Sequence, residues 1–372
     1  MHRSLQLCFP RSAHVGPGAV ERLGAEAAAR GRKALLVTGR RALRRAGALD
    51  RLLEILHKAG VAAEVFDDVP PEPDVPAVDR AREALRCAGC DLVVEAGGGS
   101  ALDVGKAAAA LARAEEPTAV YHGGRELPAG GLPHLAVPTT AGTGSEATHN
   151  SVLTDAAHTV KKSIRGAGLM PDVCIVDAEL TLSCPRDVTS ASGMDALAQA
   201  IESYLSIYAV PTTEALSLEA ARMIAAGLPA AFERGDDLAA RAAMAEASFM
   251  AGVALGSARL GAVHGLAHPL GVIYGLPHGV VCAVLLAPVL RLNAPGAPVK
   301  YARLAEAMGG DPVRQVERLR ERLGMPRVIG PALDADRLRA VVDYAVPSGS
   351  SRANPVPVDE AYVRRVLDAV CS

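Results

Sequence analysis

Three of the chain's ten histidines, His264, His268 and His278, fall within fifteen residues. His264 and His268 are four apart and would share one face of a helix. Asp195 and Gln199 are also four apart, on an earlier segment of helical pattern. One carboxylate with several imidazoles suits a divalent transition metal, whose chemistry is to polarise a substrate oxygen. Taken singly, each histidine reads first as a satisfied core or surface group; three within fifteen residues, amid Gly and Pro, favour the metal reading. The HxxxH of a zinc protease needs Glu directly after its first histidine; here that position is Gly265, which excludes the protease reading.

A second constellation could bind an anion. Gly97, Gly98, Gly99 and Ser100 follow an apolar run, Leu92 to Ala96, and open a helical pattern. Glycines let the backbone approach an anion, and the amides at a helix start point toward it. Ser100 is placed to cap that helix, with Asp103 at the capping-box position. A tight strand-to-helix turn is the simpler alternative, but three consecutive glycines exceed its needs. A small-residue loop, Thr139-Thr140-Ala-Gly-Thr143-Gly-Ser145-Glu146, follows another apolar run ending at Pro138. Its hydroxyls and amides suit a cofactor phosphate, ribose or nicotinamide. The usual GxGxxG fingerprint is missing after the first strand, which runs instead into Gly39-Arg40-Arg41.

These groups need elements to hold them. Ala34–Thr38, Ala62–Phe66, Leu92–Ala96, His134–Pro138 and Val173–Val176 read as strands, with helical patterns after the first and near Val78–Ala88, and a proline-rich connection from Pro70 to Pro76. Continuous apolar strands alternating with helices predict a parallel sheet covered on both faces. After about Pro185 strand signals stop. Asp187–Glu233, Asp237–Ala258, Gly261–Ala267, Gly279–Leu292 and Val299–Met308 carry helical periodicity. The expected organisation is an α/β dinucleotide-binding domain over residues 1–185 and an all-α metal- and substrate-binding domain over 186–372, with the ligand site in the cleft between them.

Composition narrows the function classes. The net charge of −2 and pI near 6.6 argue against a nucleic-acid or membrane-surface binder. Met1 to Arg11 contains no apolar stretch suited to a signal peptide, and Val280–Leu290, interrupted by Pro288, falls short of the ~20 residues of a membrane span. Seven scattered cysteines, including a lone Cys87-Ala-Gly-Cys90, suggest reduced thiols and a cytoplasmic location.

The motifs together resemble those of the iron-containing alcohol dehydrogenases. Gly97 to Lys106 is similar to that family's GGGSxxDxxK loop, and Pro138 to Glu146 to its second cofactor loop. Gly193 to Glu202 resembles the helix bearing its first metal ligands, and Leu260 to Gly279 its histidine signature. The match runs in order from about Val15 to Arg291. The resemblance implies a dehydroquinate-synthase-like two-domain fold. It implies metal ligation by Asp195, His264 and His278, with Gln199 in the fourth place, and His268 beside the nicotinamide and the substrate oxygen. It also implies cofactor contacts from Gly98, Gly99, Ser100, Asp103, Thr139, Thr140, Ser145, Asn150 and Lys161.

The chain departs from the family in carrying Gln199 for the usual His, Gly39 for a frequent Asp and Leu255 for a common Phe. The implied activity is a metal-dependent alcohol dehydrogenase or aldehyde reductase, using NAD(P) and a divalent ion, Fe2+ first and Zn2+ second. Its substrate would be a small alcohol or aldehyde, and it would act as a homodimer or larger homo-oligomer. His268 would relay the hydroxyl proton or serve as a structural hydrogen bonder. The rivals are a dehydroquinate-synthase-like lyase and a dinucleotide-binding protein with a degenerate metal site.

Overall fold

The computed structural model of the chain describes residues 7–155 and 160–372. Residues 1–6, within the segment read for a signal peptide, lie outside the described residues. Two compact units emerge, one of Cys8–Thr140 with Gly144–Ser183, the other containing Ala141–Thr143 and Cys184–Ser372.

The first unit is built on a six-stranded, all-parallel sheet. Its strands are β1 (Ser12–Val15), β2 (Lys33–Gly39), β3 (Ala62–Val69), β4 (Leu92–Gly97), β5 (His134–Pro138) and, after a hairpin of β6 (Asn150–Asp155) and β7 (Val160–Arg165), β8 (Val173–Val176). The order across the sheet is β1-β8-β5-β4-β2-β3. Leu35, Val37 and Val93 pack on one face with Val78, Leu85 and Val104. Leu36, Val94 and Val137 pack on the other with Leu49, Leu52 and Leu56. Burial on both faces is why these strands read as unbroken apolar runs. β1 and the hairpin escaped the sequence reading, because Ser12–Val15 is short and half exposed and the hairpin is rich in Ser, Thr and Lys.

The strand order sets the ligand edge. From β2 the chain steps outward to β3, then returns across β2 to lay down β4, β5 and β8 in the opposite direction. The switch point therefore lies between β2 and β4, whose carboxyl ends are Gly39 and Gly97. Open α/β sheets bind ligands in that crevice.

In the second unit the helices are Arg186–Leu205, Pro211–Glu233, Leu238–Ala258, Ala262–Tyr274, His278–Asn293, Pro298–Ala307, Pro312–Arg322, Ala335–Ala345 and Glu360–Val370. The single helix expected over Asp187–Glu233 is two. Pro211 has no amide hydrogen to continue the ladder and forces Val210 into extended backbone, φ −125° and ψ 163°. Three helices, Pro211–Glu233, Leu238–Ala258 and His278–Gly296, reach the length and mean hydropathy of a membrane span. Each contributes buried residues to the shared helical core; Val281 to Leu290 are all buried. All seven cysteines are unbridged, Cys87 and Cys90 among them.

Candidate active site

The metal-type residues converge inside the helical unit. Asp195 lies on the helix Arg186–Leu205, His264 near the start of Ala262–Tyr274, and His278 at the first position of His278–Asn293. His264 Nε2 is 3.2 Å from Asp195 Oδ1, and His278 Nε2 is 3.7 Å from the same oxygen. Asp195 and His264 are 3% exposed. His268, one turn beyond His264 and half-buried, stacks on His278 with ring centroids 5.0 Å apart and planes 17° off parallel. Gln199 is also buried; its Nε2 donates to Asp195 Oδ2 at 3.1 Å, and its Oε1 has no hydrogen-bond partner.

Two further residues belong to the cluster and were missed in sequence. Glu202, one turn from Ala198 on Asp195's helix, accepts from His264 Nδ1 at 2.7 Å and from the Val263 amide at 2.6 Å. It thus fixes the imidazole so that Nε2 faces Asp195, the arrangement that orients a metal-ligating histidine. The approach needs Gly261, because a Cβ there would lie 2.8 Å from Glu202 Oε1. Cys282, one turn after His278, places Sγ 3.5 Å from His278 Nε2. Glu202 had a findable signal, a carboxylate seven residues after Asp195 and hence on the same helix face.

The electrostatics ask for positive charge. Burial alone would strip the His264 proton, yet its hydrogen bonds to Asp195 and Glu202 lift its pKa to about 10. Burial opposes ionisation of Asp195, but the His264 hydrogen bond and the charge of His278 outweigh it and hold the carboxyl below its ordinary range. A buried site that retains a proton between two carboxylates offers the same place to a divalent cation, with the proton released on binding. A carboxylate, two imidazoles and a thiol whose donor atoms all lie within 4.8 Å of one another make a donor set that fits a divalent metal.

Glu202→Gln tests the orienting role. A glutamine can accept from the Val263 amide but then sets an NH2 against His264 Nδ1–H. The expected result is a roughly 10- to 100-fold loss of metal affinity in chelator competition. Unchanged affinity would remove Glu202 from the site.

The cofactor-type residues gather at the carboxyl ends of β2, β4 and β5. Gly97 holds φ 152°, open to glycine, and Gly98 caps the helix Gly99–Ala110 in extended backbone. The Thr139 amide donates to Gly97 O at 2.9 Å, setting the two glycine- and threonine-rich loops side by side. Ser100 does not cap the helix, as its sequence position suggested. Gly98 takes that place, and Ser100 Oγ donates to Pro71 O at 2.5 Å.

Asp103 and Ser145 are turned inward. Ser145 Oγ donates to Asp103 Oδ1 at 2.5 Å, and the Val152 amide donates to Asp103 Oδ2 at 3.0 Å. Buried Lys106 donates to Ser145 O at 2.7 Å and to Thr148 Oγ1 at 3.1 Å, clamping the second loop onto the first loop's helix. Burial pushes the Lys106 pKa down, against the charge of Asp103. Asn150 Nδ2 donates to Ser163 Oγ at 3.5 Å, and Lys161 pairs with Glu72. Thr140 is half-buried beside Gly98, with Thr139 next to it. Thr143 belongs with the other unit, next to Gly142, which packs on Ser192.

Comparison with known proteins gives the same reading. The model of the iron-containing alcohol dehydrogenases matches residues 10–178, and the C-terminal model of that family matches 189–371. The chain is 36% identical to long-chain-alcohol dehydrogenase 1 of Geobacillus thermodenitrificans, over 98% of this chain and 96% of that one. It is 38% identical to 1,3-propanediol dehydrogenase of Citrobacter freundii, over 98% of each. The solved sulfoacetaldehyde reductase of Bifidobacterium kashiwanohense, in complex with NAD+, superposes with a TM-score of 0.92 at 32% identity, covering 100% of both chains. The chain therefore belongs to the iron-containing alcohol dehydrogenase family.

Proposed function

We propose that this chain interconverts an alcohol and its aldehyde, passing a hydride to or from a nicotinamide cofactor. The observation that carries this reading is the meeting of the Asp195, His264 and His278 donor atoms at one buried point. A divalent ion there would act as a Lewis acid on the substrate oxygen. Asp195, His264 and His278 would hold it, Glu202 orients His264, and half-buried His268, stacked on His278, carries the hydroxyl proton toward solvent. The amides at Gly98 and Gly99 would receive the pyrophosphate, and Thr139 and Thr140 line the same edge. Asp103, Ser145 and Lys106 shape that edge from beneath.

The relatives' names span long-chain alcohols and 1,3-propanediol, so the test is a panel of alcohols and aldehydes covering both, with each nicotinamide, on metal-loaded protein. Metal-dependent reduction of the cofactor by an alcohol, or its oxidation by an aldehyde, is expected. The absence of both across the panel overturns the reading, and turnover without net change in the cofactor favours a lyase. A homo-oligomer in the cytoplasm completes the proposal, consistent with seven unbridged cysteines.

For the cofactor we infer that NADP(H) serves at least as well as NAD(H). The end of β2 carries Gly39 with no carboxylate, followed by Arg40, Arg41, Arg44 and Arg45. Arg40 pairs with Asp68 at 2.5 Å and Arg44 with Asp67 at 3.1 Å. These pairs are more than 40% exposed on both sides, and such pairs contribute only about 0–1 kcal/mol. A 2′-phosphate, with more charge and bidentate geometry, can take the guanidinium from the aspartate. A Cβ at Gly39 would meet nothing within 4 Å, so Gly39→Asp is tolerated sterically. It should shift the ratio of kcat/KM values at least about tenfold toward NAD(H), a change of about 1.4 kcal/mol. A native enzyme with strong preference for NAD(H) would show that Asp67 and Asp68 keep these arginines occupied.

A further inference from the structure

We propose that Cys282 is the fourth ligand of the metal centre, that the centre prefers zinc, and that Gln199 stands outside the coordination shell as a brace on Asp195. This rests on the metal reading above and assigns a ligand and an ion that the reading leaves open.

The geometry favours the sulfur. Asp195, His264, His278 and Cys282 each bring one donor atom to within 4.8 Å of all the others. Around a tetrahedral zinc, with bonds of about 2.0 Å to N or O and 2.3 Å to S, neighbouring donors lie about 3.3–3.7 Å apart. Three of the six donor pairs lie close to that range, at 3.2 Å (His264 to Asp195), 3.7 Å (His278 to Asp195) and 3.5 Å (Cys282 to His278), and all six lie within 4.8 Å. Cys282 is buried, and its Sγ lies within 4.8 Å of the Asp195 donor oxygen.

Gln199 is placed differently. Both histidines face Asp195 Oδ1, whereas the Gln199 amide meets Oδ2. Turning the amide over would set its oxygen against a carboxylate oxygen, acceptor against acceptor. The carboxamide therefore holds Asp195 in orientation, and the position an imidazole would have filled passes to a thiolate on a different helix.

The charge balance follows. A carboxylate and a thiolate neutralise a divalent ion, while the two imidazoles bind as neutral donors. The thiol proton leaves to solvent on binding. Sulfur is a soft ligand, and an S/N/O tetrahedron suits zinc better than iron(II).

Cobalt(II) provides the test, because a thiolate bond to cobalt gives an intense near-ultraviolet charge-transfer absorption that N and O ligands do not. Metal-free wild-type protein should bind one cobalt per chain and show the band. Cys282→Ser should lose the band and weaken zinc binding at least tenfold in chelator competition, with Cys282→Ala as the second variant. Gln199→Ala should keep the band. Cobalt bound without the band, or a band that survives in Cys282→Ser, overturns the proposal while leaving the metal centre standing. Failure of wild type to bind any metal overturns both. Zinc X-ray absorption of the unmodified protein gives an answer independent of any variant's folding. A sulfur neighbour at about 2.3 Å is expected, and a shell of N and O alone refutes the assignment.

Discussion

His264→Ala is expected to lose bound metal and alcohol oxidation together. The imidazole supplies one donor atom directly, and it is the partner that Asp195 and Glu202 share. Lewis-acid stabilisation amounts to several kcal/mol, so at about 1.36 kcal/mol per decade kcat/KM should fall on the order of 1,000-fold or more. Stability should fall too, because removing one partner of a buried ionic cluster leaves uncompensated charge, an effect of about 3–5 kcal/mol. The two effects are separated by measuring metal content, melting temperature and activity on the same preparation, and by chelating wild type. Wild type stripped of metal should lose activity while keeping its fold. Full activity in exhaustively chelated wild type would disprove the metal mechanism.

Gly98→Val is the second large effect. The position has φ −76°, which any residue adopts, and a Cβ there would meet only the Thr140 side chain, at 3.5 Å. The variant should therefore fold. What it fills is the space before the first amides of the helix Gly99–Ala110, where the pyrophosphate would sit. A loss of cofactor affinity of about 100-fold or more is expected, or ~2.7 kcal/mol, with metal content unchanged. Calorimetry finding wild-type affinity in a folded Gly98→Val protein would place the phosphates elsewhere. Gly97 is the wrong residue for this test: at φ 152° and with Ala101 Cβ 2.8 Å from an added Cβ, its substitution perturbs the turn itself.

Periodicity and residue type were enough to read the parallel sheet, most of the helical unit and the histidine cluster. Apolar runs such as Leu35–Val37 and Leu92–Val94 are long because both faces are covered, and that burial is written into composition. The spacing of Asp195, His264 and His278 carried the donor types, and consecutive glycines pointed to a backbone turn able to approach an anion. Local pattern could not say where a side chain's hydrogen bonds go. Ser100 has the position of a cap but bonds Pro71, and Asp103 has the position of a capping box but receives Ser145 and Val152. Lys106 and Glu202 look like ordinary helix charges in sequence; buried, each must find partners, and those partners lie 39 to 62 residues away. Cys282 follows His278 by one turn, a spacing the sequence shows, but only packing brings Asp195 and His264 from other helices beside the pair. The sequence by itself determined which chemistries the chain can supply. Tertiary packing alone decided which atoms meet, because distances between donors on different helices depend on how those helices pack and not on their own periodicity.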